Sequence, residues 1–244
     1  MSYRRIWTAM LGALAVSVLA ACGGTASQSS APAATSQPAA TSQPAATSQP
    51  AAPAATSQSA APTGNVRTFK IVPEQTEASY QVQEQFLSRD LPNKAIGKTN
   101  AVEGELQLSL DGKPSGKITR IAVDLRQLTS DESRRDQRIR RSWLESDKYP
   151  FAEFTSTDVQ GAPESYSEGQ EVAFKLTGDM KIRDVTKPVT FDVRGKLAGD
   201  TISGSATTQI LMKDFGFDPP SIAGMLTVQD GVTITVNFTA KESK

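Results

Sequence analysis

The chain of 244 residues contains no histidine and a single cysteine, Cys22. Without histidine, neither a Ser-His-Asp triad nor a Cys-His pair can activate a nucleophile. Zinc sites built from His and Cys, and any intrachain disulfide, are excluded as well. An enzyme would have to use carboxylates, lysine, tyrosine, serine or threonine alone. We therefore expect a non-catalytic protein with no metal and no cofactor.

The chain also lacks net charge, with 26 basic and 26 acidic residues. Without the N-terminal segment that holds Arg4 and Arg5, 24 basic residues face 26 acidic ones. A nucleic-acid-binding surface is strongly basic, so this balance predicts no nucleic-acid partner. Nothing in the composition indicates an oligomeric state.

The N-terminus has the pattern of an export signal. Arg4 and Arg5 precede an apolar stretch, Ile6–Leu19, of a length typical of a signal peptide. The following Ala20-Ala21-Cys22 resembles the lipobox of bacterial lipoproteins. We expect residues 1–21 to be a signal peptide and Cys22 to be acylated, which would anchor the protein to the cell membrane or outer envelope with its domain facing the periplasm or exterior. The alternative is an ordinary signal peptide with an incidental cysteine.

Residues 22–65 differ in composition from everything that follows. The hexamer Ala-Ala-Thr-Ser-Gln-Pro starts at Ala33, Ala39 and Ala45, and the segment holds no large apolar side chain. Such a segment buries too little apolar surface to offset the entropy of ordering it. The sequence therefore predicts a disordered tether between Cys22 and the folded domain.

From Val66 to the C-terminus, apolar and polar residues alternate in a series of short runs. The clearest runs are Ala78–Phe86, Val102–Leu110, Val172–Ile182, Val189–Val193, Ile202–Ile210 and Val232–Phe238. Alternation with period two indicates antiparallel strands with one buried face. Closing about eight such strands into a barrel removes exposed edges and leaves room for one small ligand. The sequence predicts an all-β domain over residues 66–244, with a β-sandwich as the alternative.

One short helix interrupts this pattern after residue 128. Thr129 and Glu132 have the spacing of a capping box. At 100° per residue, Arg134, Arg138 and Arg141 share one helix face, which is suited to a phosphate or an anionic membrane surface. The alternative is a solvated face with two i,i+4 ion pairs, Asp131–Arg135 and Asp136–Arg140.

Three segments in order resemble the YceI-like family of lipid- and polyisoprenoid-binding proteins. They are the strand, basic helix and Tyr149-Pro150 strand over residues 123–159, the stretch LTGDMKIRDVTKPV at Leu176–Val189, and Asp214-Phe215-Gly216. The resemblance implies an extended lipocalin-like barrel. It also implies that a polyisoprenoid or fatty amphiphile occupies an apolar cavity.

The inward rows and nearby loop supply the candidate cavity residues: Tyr80, Val82, Phe86, Leu106, Leu108, Phe154, Phe174, Leu176, Met180, Ile182, Phe191, Phe215 and Phe217. Gly104, Gly178 and Gly204 lie inside strands, where a missing side chain permits either close approach of a ligand or tight curvature. The alternative is an interior that the side chains fill completely.

Two other classes of function stay open from sequence. The first is an interaction module with an exposed apolar patch of Phe215, Phe217, Ile222, Met225 and Leu226. The second is a carboxylate enzyme based on a pair such as Glu103 and Glu105 or Asp179 and Asp184. An internal cavity would favour the lipid carrier over a packed module.

Overall fold

The computed structural model describes residues 65–86, 93–111, 113–222 and 225–243. The predicted signal peptide, the lipidation site and nearly all of the tether lie outside the described residues. In the described part, no helix is long and apolar enough to span a bilayer.

The described domain contains eleven strands and one short helix. Helix α1 spans Ser133–Arg138 and continues as a π-helical turn, Ile139–Trp143. Short 3-10 turns occupy Pro73–Gln75, Leu125–Gln127 and Met212–Phe215. The strands are β1 (Val66–Ile71), β2 (Glu77–Phe86), β3 (Asn93–Thr99), β4 (Val102–Ser109), β5 (Ser115–Asp124), β6 (Phe151–Gln160), β7 (Val172–Ile182), β8 (Val185–Ala198), β9 (Thr201–Leu211), β10 (Ser221–Ile222) and β11 (Leu226–Glu242).

Eight of these strands close into an antiparallel barrel, in the order β1-β4-β5-β6-β7-β8-β9-β11. Pairing of β1 with β11, which places Phe69 opposite Glu242, closes the barrel. The predicted barrel is therefore confirmed, and the sandwich alternative is wrong. The β2–β3 hairpin continues the sheet from the other half of β11, where Phe86 pairs with Leu226.

The barrel has two distinct ends. At the helix end, β5 leads into α1, and β2 and β11 meet at Phe86 and Leu226. At the opposite end, called the loop end, β1 begins opposite Ser109, and residues 161–171 connect β6 to β7 and bond to Leu197 of β8.

The strands bury their inward rows as the alternation predicts. Leu176 and Met180 of β7 are buried, whereas Lys175 and Asp179 are exposed. The rings of Phe154 and Phe191 meet edge to face with centroids 5.2 Å apart, a favourable geometry for aromatic pairs. A second core cluster closes the loop end around Phe69, Leu197, Ile202 and Ala240.

The strand glycines make room for the protein's own atoms. A Cβ at Gly178 would collide with the Thr155 carbonyl and the Phe154 ring. A Cβ at Gly204 would meet the Arg194 carbonyl and the Phe238 ring. Gly104 has a φ of 150° and lies next to the β-bulge after Glu105. Close approach of strands and curvature therefore explain these glycines, and the ligand-approach interpretation is wrong.

The helix begins differently from the predicted capping box. Glu132 is the N-cap, and its side chain accepts a hydrogen bond from the Arg134 amide at 3.1 Å. Thr129 is unavailable as a cap because its backbone pairs in both directions with Lys98 of β3, at 2.8 and 3.0 Å. The segment before the helix is thus held as an extended bridge to β3.

Candidate ligand-binding cavity

A cavity of about 1010 Å³ occupies the barrel interior. This volume is at the upper limit of the roughly 300–1,000 Å³ common for small-molecule sites. The inward rows of the strands form its walls, and residues from both barrel ends line it. The alternative of an interior filled by side chains is therefore wrong for this barrel.

The structure brings the predicted cavity residues together on one surface, with one exception. Phe215 is only 1% exposed and packs behind the wall with the core cluster of Phe154 and Phe191. Its turn, Met212–Phe215, directs the ring into the core, so its predicted place in the cavity is wrong. The predicted residues that do line the cavity are Tyr80, Val82, Phe86, Leu106, Leu108, Phe154, Phe174, Leu176, Met180, Ile182, Phe191 and Phe217.

The predicted arginine row is split by the π turn. Arg134 and Arg138 line the cavity at the helix end. Arg141 instead lies in a separate outer hollow with Arg140 and Glu145. In the π turn the Leu144 amide bonds to the Ile139 carbonyl five residues earlier, and this wider turn rotates Arg141 away from the α-helical face. The prediction for Arg141 is wrong.

Only one of the two predicted ion pairs on the helix forms. Arg135 Nη1 lies 2.6 Å from Asp131 Oδ1, which confirms the first pair. Asp136 is buried and accepts hydrogen bonds from the Ser130 hydroxyl at 2.6 Å and the Ser130 amide at 3.0 Å. Arg140 donates to the backbone carbonyls of residues 126 and 128. The prediction of an Asp136–Arg140 pair is therefore wrong. Both side chains instead fix the start of the helix to the preceding turn.

A buried ion pair at the helix end was missed from the sequence. Glu84 belongs to the inward row of β2, and its side chain is 4% exposed. Its carboxylate lies 3.3 Å from Arg135 Nε and accepts from the Asn93 amide group at 3.3 Å. The available signal was the row Tyr80, Val82, Glu84, Phe86, in which the carboxylate takes an inward position. A buried carboxylate needs such partners because desolvation is costly.

Tyr80 places a neutral polar group on the cavity wall beside this pair. Its ring packs over Gly97, where any Cβ would overlap it. Burial raises the pKa of the Tyr80 hydroxyl to about 12. Like any tyrosine hydroxyl near neutral pH, it is protonated and can both donate and accept a hydrogen bond.

The far end of the helix is tied to the loop after the Met212–Phe215 turn. The Trp143 indole donates to the Asp218 carbonyl at 3.1 Å. Arg183 donates to the Trp143 carbonyl and forms an ion pair with Glu145. The helix is thus a fixed part of the cavity wall, and Trp143 both anchors it and lines the cavity.

The carboxylate pairs of the enzyme alternative lie outside the cavity. Glu103 pairs with Arg120 at 3.0 Å and Glu105 with Lys70 at 3.1 Å, all on the outer surface. Asp179 and Asp184 are likewise exposed and, like these two glutamates, do not line the cavity. In the described residues, no group of three or more His, Cys, Asp or Glu side chains is arranged to hold a metal ion.

The predicted interaction patch is not a continuous exposed surface. Phe215 is buried, and Phe217, Ile222 and Leu226 are half-buried where they line the cavity at the helix end. Met225 alone is strongly exposed, at 61%. The predicted patch of five exposed residues is therefore wrong, because Phe215 is buried and three of the other four side chains are half-buried. The other members, all cavity-lining, are Phe217, Ile222, Met225 and Leu226.

Comparison with known protein families agrees with this architecture. The family model described as a YceI-like domain matches residues 69–240, which is most of the chain and nearly the whole barrel. The chain belongs to the YceI-like family. A UPF0312 protein of Pseudomonas putida is 36% identical over 113 residues, covering 43% of this chain and 55% of that protein. The protein YceI of Shigella flexneri is 30% identical over 113 residues, covering 42% and 53%. The alignments thus span about half the length of these relatives.

Two solved structures share the fold at low sequence identity. BcnA of Burkholderia cenocepacia superposes with a TM-score of 0.54 at 17% identity, covering 70% of this chain and 99% of that chain. A polyisoprenoid-binding domain of Saccharophagus degradans has a TM-score of 0.56 at 11% identity, covering 72% and 98%. At these identities the similarity establishes the barrel fold.

Proposed function

We propose that this YceI-like protein binds a long-chain amphiphile, a polyisoprenoid or a fatty chain, inside its barrel without chemical turnover. The observation that carries the proposal is the apolar cavity of about 1010 Å³ along the barrel interior. Burying an apolar chain stabilises a complex by about 25 cal/mol per Å² of surface removed from water. A structural neighbour described as a polyisoprenoid-binding domain supports the choice of ligand class.

The distribution of polar groups orients the amphiphile. Its apolar chain lies along the inward rows, and its polar end stays at the helix end beside Tyr80 and the Glu84–Arg135 pair. Arg134 and Arg138 are exposed at the rim there, and their guanidinium groups form no ion pair with any described residue. They are therefore the groups available to an anionic head, such as a phosphate.

The proposed cellular setting is a membrane anchored through the N-terminus. Acylation of Cys22 would hold the protein at the membrane, and residues 22–65 would let the barrel move between the bilayer and the periplasm or exterior. Labelled fatty acid should then enter the wild-type protein and not Cys22→Ser. Equal labelling of both proteins would contradict the anchoring proposal and leave the cavity proposal standing.

Displacement of a fluorescent fatty acid from the full chain tests the cavity proposal. Ala206 lines the cavity and is half-buried, so Ala206→Leu should fill empty space. We expect at least tenfold weaker probe binding with a thermal unfolding midpoint within a few degrees of wild type, because filling a void strains the core less than overpacking does. A matched Ala198→Leu change lies on an exposed strand end outside the cavity and should leave binding unchanged. Equal binding by all three proteins would contradict a ligand inside the barrel.

A further inference from the structure

The loop end of the cavity is closed by the connection between β6 and β7. Residues 161–171 form this connection, and Ala162, Pro163 and Tyr166 within it line the cavity. Leu197 and Ile202 of the loop-end core cluster line it beside them. A chain that runs through the barrel from the helix end therefore meets this loop last.

Tyr166 is held in place by two hydrogen bonds to one residue. Its hydroxyl donates to the Leu197 carbonyl at 2.7 Å and accepts from the Leu197 amide at 2.8 Å. The Gly169 amide also donates to the Leu197 carbonyl at 2.8 Å, and the Glu168 carboxylate accepts from the Gly199 amide at 2.7 Å. The ring is half-buried and packs on the loop-end cluster. These bonds fasten the loop to the β8–β9 side of the barrel.

The opposite margin of the same loop is fastened much less firmly. Strands β5 and β6 pair over four residue pairs at the helix end, from Asp124–Phe151 to Ile121–Phe154. Nearer the loop end, the Ser156 hydroxyl bonds to both the amide and the carbonyl of Ile118 in place of a backbone pair. Beyond that point, the ion pair Lys113–Glu164 joins the two sides at 2.7 Å, with side chains 62% and 81% exposed. Exposed ion pairs contribute little in water.

We propose that Tyr166 and its loop form the floor of the cavity and set the longest apolar chain that the barrel accepts. This inference rests on the proposed function and deepens it, because it names the residue that limits ligand length. A chain that ends above the Tyr166 ring is fully enclosed. Any additional unit must either displace the ring or leave through the weakly paired margin beside Lys113, and it then adds little apolar contact.

A length series of prenyl alcohols tests the floor in the full-length protein. Affinities are measured by probe displacement for geraniol, farnesol, geranylgeraniol and longer homologues up to solanesol. Each added isoprene unit should raise affinity roughly tenfold or more while it is enclosed. Past the floor, each added unit should change affinity by less than about twofold. The break is the chain length at which the gain in affinity per added unit falls. Tyr166→Ala should move this break to a longer homologue and leave the affinity of short homologues unchanged.

Two further variants separate the floor from a merely structural role of Tyr166. Tyr166→Phe loses both bonds to Leu197 but keeps the ring, so its break should stay at the wild-type length even if stability falls. Gly116 lines the cavity near the floor, and a Cβ there makes only ordinary contacts at 3.5 Å or more. Gly116→Leu should therefore raise the floor and move the break to a shorter homologue.

The outcomes distinguish this inference from the proposed function. Opposite shifts of the break in Tyr166→Ala and Gly116→Leu support the floor. A break at the wild-type length in Gly116→Leu and in a cooperatively folded Tyr166→Ala overturns it, while the binding itself preserves the carrier function. If Tyr166→Ala does not fold, the result for Gly116→Leu decides. Absence of binding for every homologue to wild type overturns both proposals.

Discussion

The two ends of the barrel cavity are built from different chemistry. At the helix end, charged side chains reach the cavity surface, including the buried pair Glu84–Arg135 and the rim residues Arg134 and Arg138. At the loop end, backbone groups and the Tyr166 hydroxyl satisfy one another, and the surface toward the cavity is mostly apolar, with Lys117 of β5 and Lys196 of β8 also bordering it. An amphiphile has the same asymmetry. The comparison therefore explains why one end suits a polar head and the other the end of an apolar chain.

The largest expected effect comes from breaking the ion pair at the helix end. Arg135→Met leaves Glu84 buried without its cationic partner, so we expect the free energy of unfolding to fall by about 2–4 kcal/mol, less than for a fully buried pair because Arg135 keeps 18% exposure. Urea unfolding at neutral pH measures it. The matched control is Arg134→Met. It removes an exposed charge that forms no ion pair with any described residue, so it should change stability by less than about 0.5 kcal/mol. Similar losses in both variants would contradict the importance of the pair.

The corresponding change at the loop end should have a smaller effect. Tyr166→Phe removes the hydroxyl that bonds to the Leu197 amide and carbonyl, so we expect a loss of about 1–3 kcal/mol. Lys113→Ala breaks the exposed ion pair on the other margin of the same loop and should cost less than about 1 kcal/mol. Thermal unfolding of both variants measures the contrast. Equal losses would mean that the Tyr166–Leu197 hydrogen bonds and the Lys113–Glu164 ion pair stabilise the loop equally.

Head-group binding should depend on which arginine is reversed. Arg138→Glu should weaken binding of a prenyl phosphate by several-fold more than binding of the matching prenyl alcohol, since Arg138 lies at the cavity rim. Arg141→Glu carries the same charge change but lies in the outer hollow, so it should have little effect on either ligand. Raising the salt concentration should reduce the difference between the two variants. Equal effects of both reversals would indicate a long-range field in place of a local contact.

The smallest expected effect is a pH dependence at the point where β5 meets the helix segment. A hydrogen bond from Arg126 holds the pKa of the Asp124 carboxyl below its usual value, against the opposing effect of burial. Its stabilising contribution is therefore fully present above the unfolded pKa, near 3.9, and is lost as pH falls through the lower folded pKa. Asp124→Asn should be less stable than wild type at neutral pH, and the difference should shrink below about pH 4. A difference that is constant from pH 7 to pH 2 would contradict this origin.

The barrel could be predicted from sequence because its signal is local and repeated. In β2, β4, β7, β8, β9 and β11, apolar residues recur at every second position. The same alternation correctly placed Leu176, Met180 and Phe191 on the inner surface. It also contained Glu84, which was overlooked because a charged residue inside a barrel is rare unless it is paired. Its partner Arg135 is 51 residues away in sequence, and only the folded structure brings them together.

The details of the helix could not be predicted for a different reason. Helical periodicity assumes 3.6 residues per turn, and the π turn at Ile139–Trp143 departs from it. Arg141 was therefore assigned to the wrong face. Thr129 is not the cap because its backbone forms a tertiary contact, the β-bridge with Lys98. Phe215 was assigned to the cavity because a turn has no alternation from which its direction can be derived.

The most direct test of the central claim is native mass spectrometry of the protein purified gently from its native host. The account predicts an ion heavier than the denatured protein by the mass of one amphiphile per barrel. That mass should be released by denaturation and identified as a prenyl or fatty chain. The fraction of protein that carries this mass should be lower in Ala206→Leu than in wild type. A wild-type ion with no non-covalent mass, from a protein that also takes up no added prenyl alcohol, would contradict the account.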